Sequence, residues 1–503
     1  MSPAQAGIQA RPMIKRAVLV LAALVLLLAA VLAANTLRQG SRQLDVPPAP
    51  PLAVDAQAVA EKLAGAVRLR TIASREDPSL NADEFRRLHA WLEQRFPLVH
   101  ARLQREVVGG LSLLYTWRGS DPNAKAVALL AHQDVVPVAP GTEAAWQAPP
   151  FAGVVRDGFV WGRGAWDDKG NLVAQLEAIE MLLGSGFQPR PTVYLVSGAD
   201  EEVSGERGAQ QVVKLLQQRQ VRLDFVLDEG LVITEGMVPG VQAPVALVGT
   251  AEKGYASFLL KVRTQGGHSS LPPAPGASAI AQLAEALRRL DREQLPAALE
   301  GVAREMFETT APEMRGFQRV ALSNLWLFGP LVRAQLEKTP GSNAMLRTTT
   351  ALTVLRAGEK ENVLPAEAEA VLNFRILPGE SRASVRQHVQ ARVGEGFSVE
   401  ELPGGYEPTP VTSTRSASYQ QIQRTLRSLF PEVVVAPALY VAGSDSRLFV
   451  PIADHIYRFS PVRARSEDLQ RLHGTNERIA VAALADMVRF YHQLLRNLNA
   501  PTA

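Results

Sequence analysis

Between residue 55 and about residue 249, short apolar runs alternate with segments of helical period, and this alternation most narrows what the chain can fold into. Residues 126–131, 192–197 and 225–227 read as buried strands. Between the first two, residues 171–183 set Leu172, Leu176, Ile179 and Leu183 on one helical face, with Asp168 placed to cap it. Strands that alternate with helices build an α/β sheet with helices on its faces.

The full length of 503 residues exceeds what a single core fills, so a second domain or a large insert is required. The pattern changes after Thr250: residues 255–262, 348–355 and 369–377 read as strands of a separate sheet, with a helix over 277–291. This predicts an inserted α+β lid over 251–378, between catalytic parts at 55–250 and 379–497. Residues from about 292 to 340 form an extra, mostly helical piece that the pattern does not place, and a long amphipathic helix over 476–495 closes the chain.

At the N-terminus, Arg11, Lys15 and Arg16 precede an uncharged apolar run over 17–34. At about 1.5 Å rise per residue that run just crosses a ~30 Å hydrocarbon core, whereas a cleavable signal has an apolar centre of roughly 7 to 15 residues. A single-pass anchor is favoured; Ala33 and Ala34 keep a cleaved signal peptide as the alternative. The basic flank, residues 1–16, stays in the cytoplasm, and residues 35–54 form a proline-rich linker that carries the body outside it, or into secretion if the segment is cleaved.

Composition removes other classes. The 53 basic residues nearly balance 50 acidic ones without long blocks, so nothing points to a nucleic-acid partner. With no cysteine, disulfides are excluded and any metal is held by imidazole and carboxylate.

Several apolar runs end on polar tips: HQD at His132 to Asp134, WDDKG at Trp166 to Gly170, DEE at Asp200 to Glu202, and DEG at Asp228 to Gly230; LHG at Leu472 to Gly474 comes later. In open α/β sheets the crevice lies beyond the carboxyl ends of the strands, so tips far apart in sequence can converge there. Any one of them alone reads as a cap, a turn or a satisfied polar contact. Five together, using two of the eight histidines, point to a metal site.

These motifs, with AHQDVVPV, WGRGAWDDKG, ADEEVSG, GGHSSLPP, NVLP, FRILPG and LHGTNERI in order, resemble the di-zinc family that includes aminoacylase, carboxypeptidase S and the secreted N-fatty-acyl-amino-acid hydrolase. The resemblance covers about residues 55 to 497 and implies a zinc-peptidase-like catalytic domain with helices on both faces of a mixed sheet, plus the lid. It implies that Asp167 bridges two zinc ions, with His132 and Asp228 completing one and Glu202 and His473 the other. Cobalt or manganese are possible substitutes. Two divalent ions carry four positive charges, which three carboxylates and a hydroxide neutralise.

The resemblance further implies a cis peptide between Asp167 and Asp168, and a general base in Glu201, which takes a proton from the attacking water and returns it to the leaving nitrogen. Asp134, two residues beyond His132 on the same strand face, can orient the imidazole. In the lid, Arg375 and Asn362 match anchors for a substrate carboxylate, and His268 matches a histidine that stabilises the oxyanion, sometimes across a homodimer formed through the lid. Asp445 and Arg447 in GSDSR match a family segment without an assigned role.

The function that follows is a metal-dependent hydrolase cleaving an amide bond beside a free carboxylate, carboxypeptidase S-like on small peptides. The alternative within the family is an N-acyl, possibly fatty-acyl, amino acid amidohydrolase. From another class, a catalytically inactive, membrane-tethered binding protein would have lost Glu201, Asp167 or His132, and all are present.

Overall fold

The computed structural model describes residues 3–499. The first two residues of the expected basic flank, and the side chain of Arg11, lie outside the described residues.

An eight-stranded mixed sheet forms the catalytic layer. Its spatial order is Gln104–Val108, Ser112–Trp117, Val193–Ser197, Ala126–Leu130, Leu223–Thr234, Ala453–Ala464, Val245–Glu252 and Val434–Tyr440. The pairings among Val193–Ser197, Ala126–Leu130, Leu223–Thr234 and Ala453–Ala464 are parallel, and Ala126–Leu130 and Val193–Ser197 are nearly continuously apolar because both faces are covered. One face packs against helices Ala56–Val67, Lys169–Gly184, Ala417–Leu429 and Val481–Asn497. The other packs against Ala209–Gln218 and the short turn Asp445–Phe449.

The helix expected at 171–183 runs over Lys169–Gly184, and Asp168 stands at its N-cap without capping it through its side chain. Its carboxylate is taken elsewhere: one oxygen accepts from the His132 N–H at 3.3 Å and the other from Asn171 Nδ2 at 2.6 Å. The closing helix begins later than expected, at Val481. Asn476 is left-handed at φ 63°, and Arg478–Ala480 is instead a strand paired with Phe159–Trp161. Burial of the Glu477 carboxylate holds this segment out of the helix.

The lid sheet, in the order Thr349–Ala357, Glu367–Ile376, Gly254–Arg263 and Phe397–Glu401, is antiparallel throughout. Helices Ala279–Arg292 and Arg382–Val393 cover one face, closing a core that includes Phe258, Leu283, Phe374 and Val389. The lid therefore continues beyond the expected boundary at 378, because its fourth strand and second helix follow it in sequence. The unplaced helical piece belongs to the catalytic layer: Met306, Phe307, Met314 and Leu322 pack on Val245, Val434, Ala436 and Ala438 at the edge of the large sheet.

Among the described residues, one helix is long and apolar enough to cross a membrane, Lys15–Arg38. The linker after it is not a free stalk. Gln43 exchanges two hydrogen bonds with the Val435 backbone, at 3.0 and 2.7 Å, on the edge strand. Ala49 N–H donates to the Ser428 carbonyl, and Arg427 and Arg489 donate to the carbonyls of Leu44 and Leu52. A proline-rich segment lacks many of its own donors and suits such a strap across an edge.

Candidate active site

The tips converge as strand geometry requires. His132 follows strand Ala126–Leu130, and Glu201 and Glu202 follow Val193–Ser197. Asp167 enters from the turn before helix Lys169–Gly184, across a cis peptide to Asp168.

Two groups of ligand atoms share Asp167. His132 Nε2 lies 3.0 Å from Asp167 Oδ1 and 3.5 Å from Glu229 Oε1. His473 Nε2 lies 3.1 Å from Asp167 Oδ2 and 3.2 Å from Glu202 Oε2. Asp228, expected to complete the first group, does not stand within reach of either group in this conformation. Its Oδ1 accepts from the Glu229 N–H and its Oδ2 from the Ser446 N–H at 2.8 Å, which fixes the carboxylate beside the cluster.

The cause is a bulge. Arg458 pairs with Asp228 but the next residue, Phe459, pairs with Leu231, leaving Glu229 and Gly230 unpaired on the bulged strand. Gly230 has φ 149°, and a Cβ there would meet the Arg458 Cβ at 2.7 Å, so the position admits only glycine. The bulge re-aims Glu229 into the site. The glycine of the DEG tripeptide marks where strand alternation breaks, but not which acid the break turns inward.

Around these atoms lies a buried brace absent from the sequence reading. Glu477 Oε1 accepts from the backbone N–H groups of Trp166 and Asp167 at 3.0 and 3.1 Å, and its Oε2 meets Arg163 at 2.6 Å. Arg163 also donates to the His473 and Gly474 carbonyls, both at 3.1 Å. One ion pair thus positions two candidate ligands far apart in sequence. Asp134 braces two more residues, because its carboxylate oxygens accept from the Glu201 and Glu202 N–H groups at 3.2 and 3.0 Å. His132 Nδ1 lies 3.0 Å from the Asp134 carbonyl oxygen.

The electrostatics fit a cation. Burial pushes Glu201 well above the ordinary carboxylate range, and burial with the neighbouring Asp167 charge raises Glu229 to about 8. Hydrogen bonds to Asp167 and Glu202 hold His473 up, at about 10. Burial works against charge on His132, but its carboxylate partners Asp134, Asp167 and Glu229 outweigh that and keep it well above its usual value. Glu201, Glu202 and Glu229 pushed toward neutrality, beside histidines pulled toward charge, form a site short of positive charge. Glu202 Oε1 is buried without a hydrogen-bond partner, as suits an atom aimed at a metal. The imidazole and carboxylate set suits divalent zinc, cobalt or manganese.

A cavity of about 860 Å³ joins this cluster to the lid, lined by Asp167, Glu201, Glu202, Glu229 and His473 on one side and Tyr255, Arg375 and Tyr406 on the other. Arg375 lies over the Tyr255 ring at 5.0 Å, Tyr255 stacks on Tyr406 at 5.9 Å, and Arg447 lies over Tyr406 at 4.8 Å. Tyr406 and Arg447 are wall residues that the sequence reading gave no role. His268 and Asn362 are not on this wall. They lie beside an exposed two-stranded ribbon, where the Ser269 N–H donates to the Asn362 carbonyl at 3.2 Å and His268 pairs with Val363.

A mixed sheet with helices on both faces, an inserted α+β lid and a two-lobed histidine–carboxylate cluster between them define a metallopeptidase-type hydrolase. The chain belongs to the peptidase family M20/M25/M40, whose model matches residues 128–497, and it is a metal-dependent hydrolase of amide bonds. It is 41% identical over 441 residues to the N-fatty-acyl-amino acid synthase/hydrolase PM20D1 of Xenopus tropicalis, covering 87% of this chain and 85% of that protein. It is 38% identical over 444 residues to the probable carboxypeptidase S-like 2 of Dictyostelium discoideum, with 87% and 85% covered. Human carnosine dipeptidase 1 shares the fold at a TM-score of 0.63 and 15% identity, covering 89% of this chain and 99% of that one.

Proposed function

We propose that this chain is a di-zinc hydrolase of the amide bond beside a free carboxylate, acting as a carboxypeptidase on small peptides. The observation that carries this reading is the cavity with Glu201 and the two ligand groups on one wall and Arg375 on the other. His132, Asp167 and Glu229 hold one ion; Asp167, Glu202 and His473 hold the second. When bound, the metals supply Lewis acidity, which activates water and polarises the scissile carbonyl.

The protein's own groups do the rest. Arg375 binds the substrate carboxylate through its planar fork, already oriented by the Tyr255 ring. Glu201, fixed through its backbone by Asp134, takes the proton of the attacking water and returns it to the departing nitrogen. Burial and carboxylate neighbours raise its proton affinity, which suits a base that must become an acid within one turnover.

A second reading, hydrolysis of N-acyl amino acids, is supported by the identity to the Xenopus tropicalis protein and by the wall of Tyr255, Tyr406 and Tyr440, which suits an apolar acyl group. Ranking kcat/KM for dipeptides against N-acetyl, N-benzoyl and N-fatty-acyl amino acids separates the two.

The lid supports a homodimer: its edge strand Thr349–Ala357 exposes Leu352, Val354 and Leu355, and unpaired edges of this kind recruit another strand. In that dimer His268 and Asn362 reach the partner's cavity. The Lys15–Arg38 helix anchors the enzyme, with the body outside the cytoplasm. A C-terminal tag should be open to protease from outside; full-length protein in the cytoplasmic fraction would contradict the anchor.

The site itself is tested by three isosteric changes. Glu201→Gln should keep its metal while kcat falls at least about 100-fold. Glu202→Gln and Glu229→Gln should lose metal on elemental analysis, with activity partly restored by added zinc. Loss of metal from Glu201→Gln alone would reverse these assignments.

A further inference from the structure

No residue of helix Leu325–Leu336 is fully buried. Leu325, Val332 and Leu336 turn toward the core of the helical insert, but Trp326 is 61% exposed and Leu331 59%. Phe317, on the preceding helix Gly316–Ser323, is 61% exposed and meets Phe328 edge to face with ring centroids 5.4 Å apart, so the apolar face spans both helices. No charged residue lies between Arg319 and Arg333. Such a stretch is too short to cross a ~30 Å hydrocarbon core and has the length of an interfacial segment.

Its neighbour says what covers it. The last turns of the apolar helix Lys15–Arg38 dock where these two helices meet. Asn35 Nδ2 donates to Asn324 Oδ1 at 3.0 Å, Asn324 Nδ2 donates to Thr36 Oγ1 at 3.2 Å, and Trp326 Nε1 donates to Asn324 Oδ1 at 3.3 Å. Where the anchor leaves the bilayer, the exposed face begins. Arg315 and Arg319 bound the segment on one side and Arg333 and Lys338 on the other, and the one acid on that flank, Glu337, is shared between Arg347 at 3.1 Å and Arg333 at 3.5 Å, so the flank keeps a net positive charge. Cations flanking a Trp- and Leu-bearing face suit anionic lipid headgroups.

We propose that Phe317, Trp326, Leu327 and Leu331 form a lipid-docking face that lies in the bilayer interface beside the anchor, so that the catalytic body rests on the membrane at a second point. This rests on the anchor reading, and the two are separable by experiment. The chain has no cysteine, so single-cysteine variants of the full-length enzyme take one environment-sensitive label each. Trp326→Cys and Leu331→Cys probe the face, Leu24→Cys the anchor, and Val107→Cys an exposed strand elsewhere; retained hydrolysis checks the fold.

In phosphatidylcholine–phosphatidylglycerol vesicles carrying nitroxides at shallow or deep acyl positions, labels at 326 and 331 should be quenched mainly by the shallow nitroxide. The label at 24 should be quenched by the deep one and that at 107 by neither. Deep quenching at 24 without quenching at 326 and 331 overturns the docking face and leaves the anchor standing. No quenching at 24 overturns the anchor and the docking face with it. Blue-shifted emission at 326 and 331 without lipid quenching, with label-to-label transfer between molecules, overturns the proposal in favour of a second copy as the occupant.

Discussion

The floor of the active-site cavity and the ribbon of the lid are built on opposite plans. On the floor, the candidate ligand atoms stand 3.0 to 3.5 Å apart, held by buried groups such as Arg163, Glu477 and Asp134. On the ribbon, His268 is exposed and its Nδ1 finds only Ser270, two residues away, at 2.8 Å. The floor is held by the fold of the chain, whereas the ribbon is left exposed. Metal ligands are worth little unless held in place, and the buried braces supply that for the floor alone.

The contrast breaks first at the brace. Glu477→Gln leaves Arg163 buried at 2% exposure without its counter-charge, so unfolding by denaturant should show a loss of about 3 to 5 kcal/mol. Metal affinity should fall with it, since the carboxylate also holds the Asp167 backbone; unchanged stability and metal content would show that the floor is not preorganised by this pair. Next comes the lid strand. Arg375→Ala should weaken kcat/KM for free-carboxylate substrates by on the order of 2 kcal/mol, with metal content unchanged. Equal losses on carboxylate-bearing and amidated substrates would make Arg375 structural.

The smallest effect on stability belongs to the ribbon. His268→Ala should move the unfolding free energy by less than about 0.5 kcal/mol, because an exposed side chain with one local contact supports no packing. Its effect should appear in kcat. Mixing His268→Ala with Glu201→Gln should then restore activity above either variant alone if the histidine acts across a dimer, and no restoration would place it within one chain.

Periodicity made much of the fold legible. The strands at 126–131 and 192–197, the helix at 171–183 and the change of pattern after Thr250 needed only local apolar spacing, which a two-sided sheet and its covering helices impose directly. The helical piece beyond residue 292 was illegible because its apolar stripe says that it is covered but not by which layer; contact with Val434 and Ala436 decided that. The lid boundary failed for the same reason. Nothing local marks Phe397–Glu401 as a partner of Gly254–Arg263 rather than a strand of the catalytic sheet.

At the site, the polar motifs in the sequence and the family resemblance they carry singled out His132, Asp167, Glu202 and His473, and the structure brings these four together. The choice between Asp228 and Glu229 was not in the sequence. Both are acids on one strand, and which of them faces the metal cluster depends on a bulge set by register against Arg458. The Arg163–Glu477 brace was hidden likewise, joining residues 314 apart in the chain. Local spacing specifies which side chains an element offers; only long-range pairing, through register, bulges and buried ion pairs, specifies where each one points.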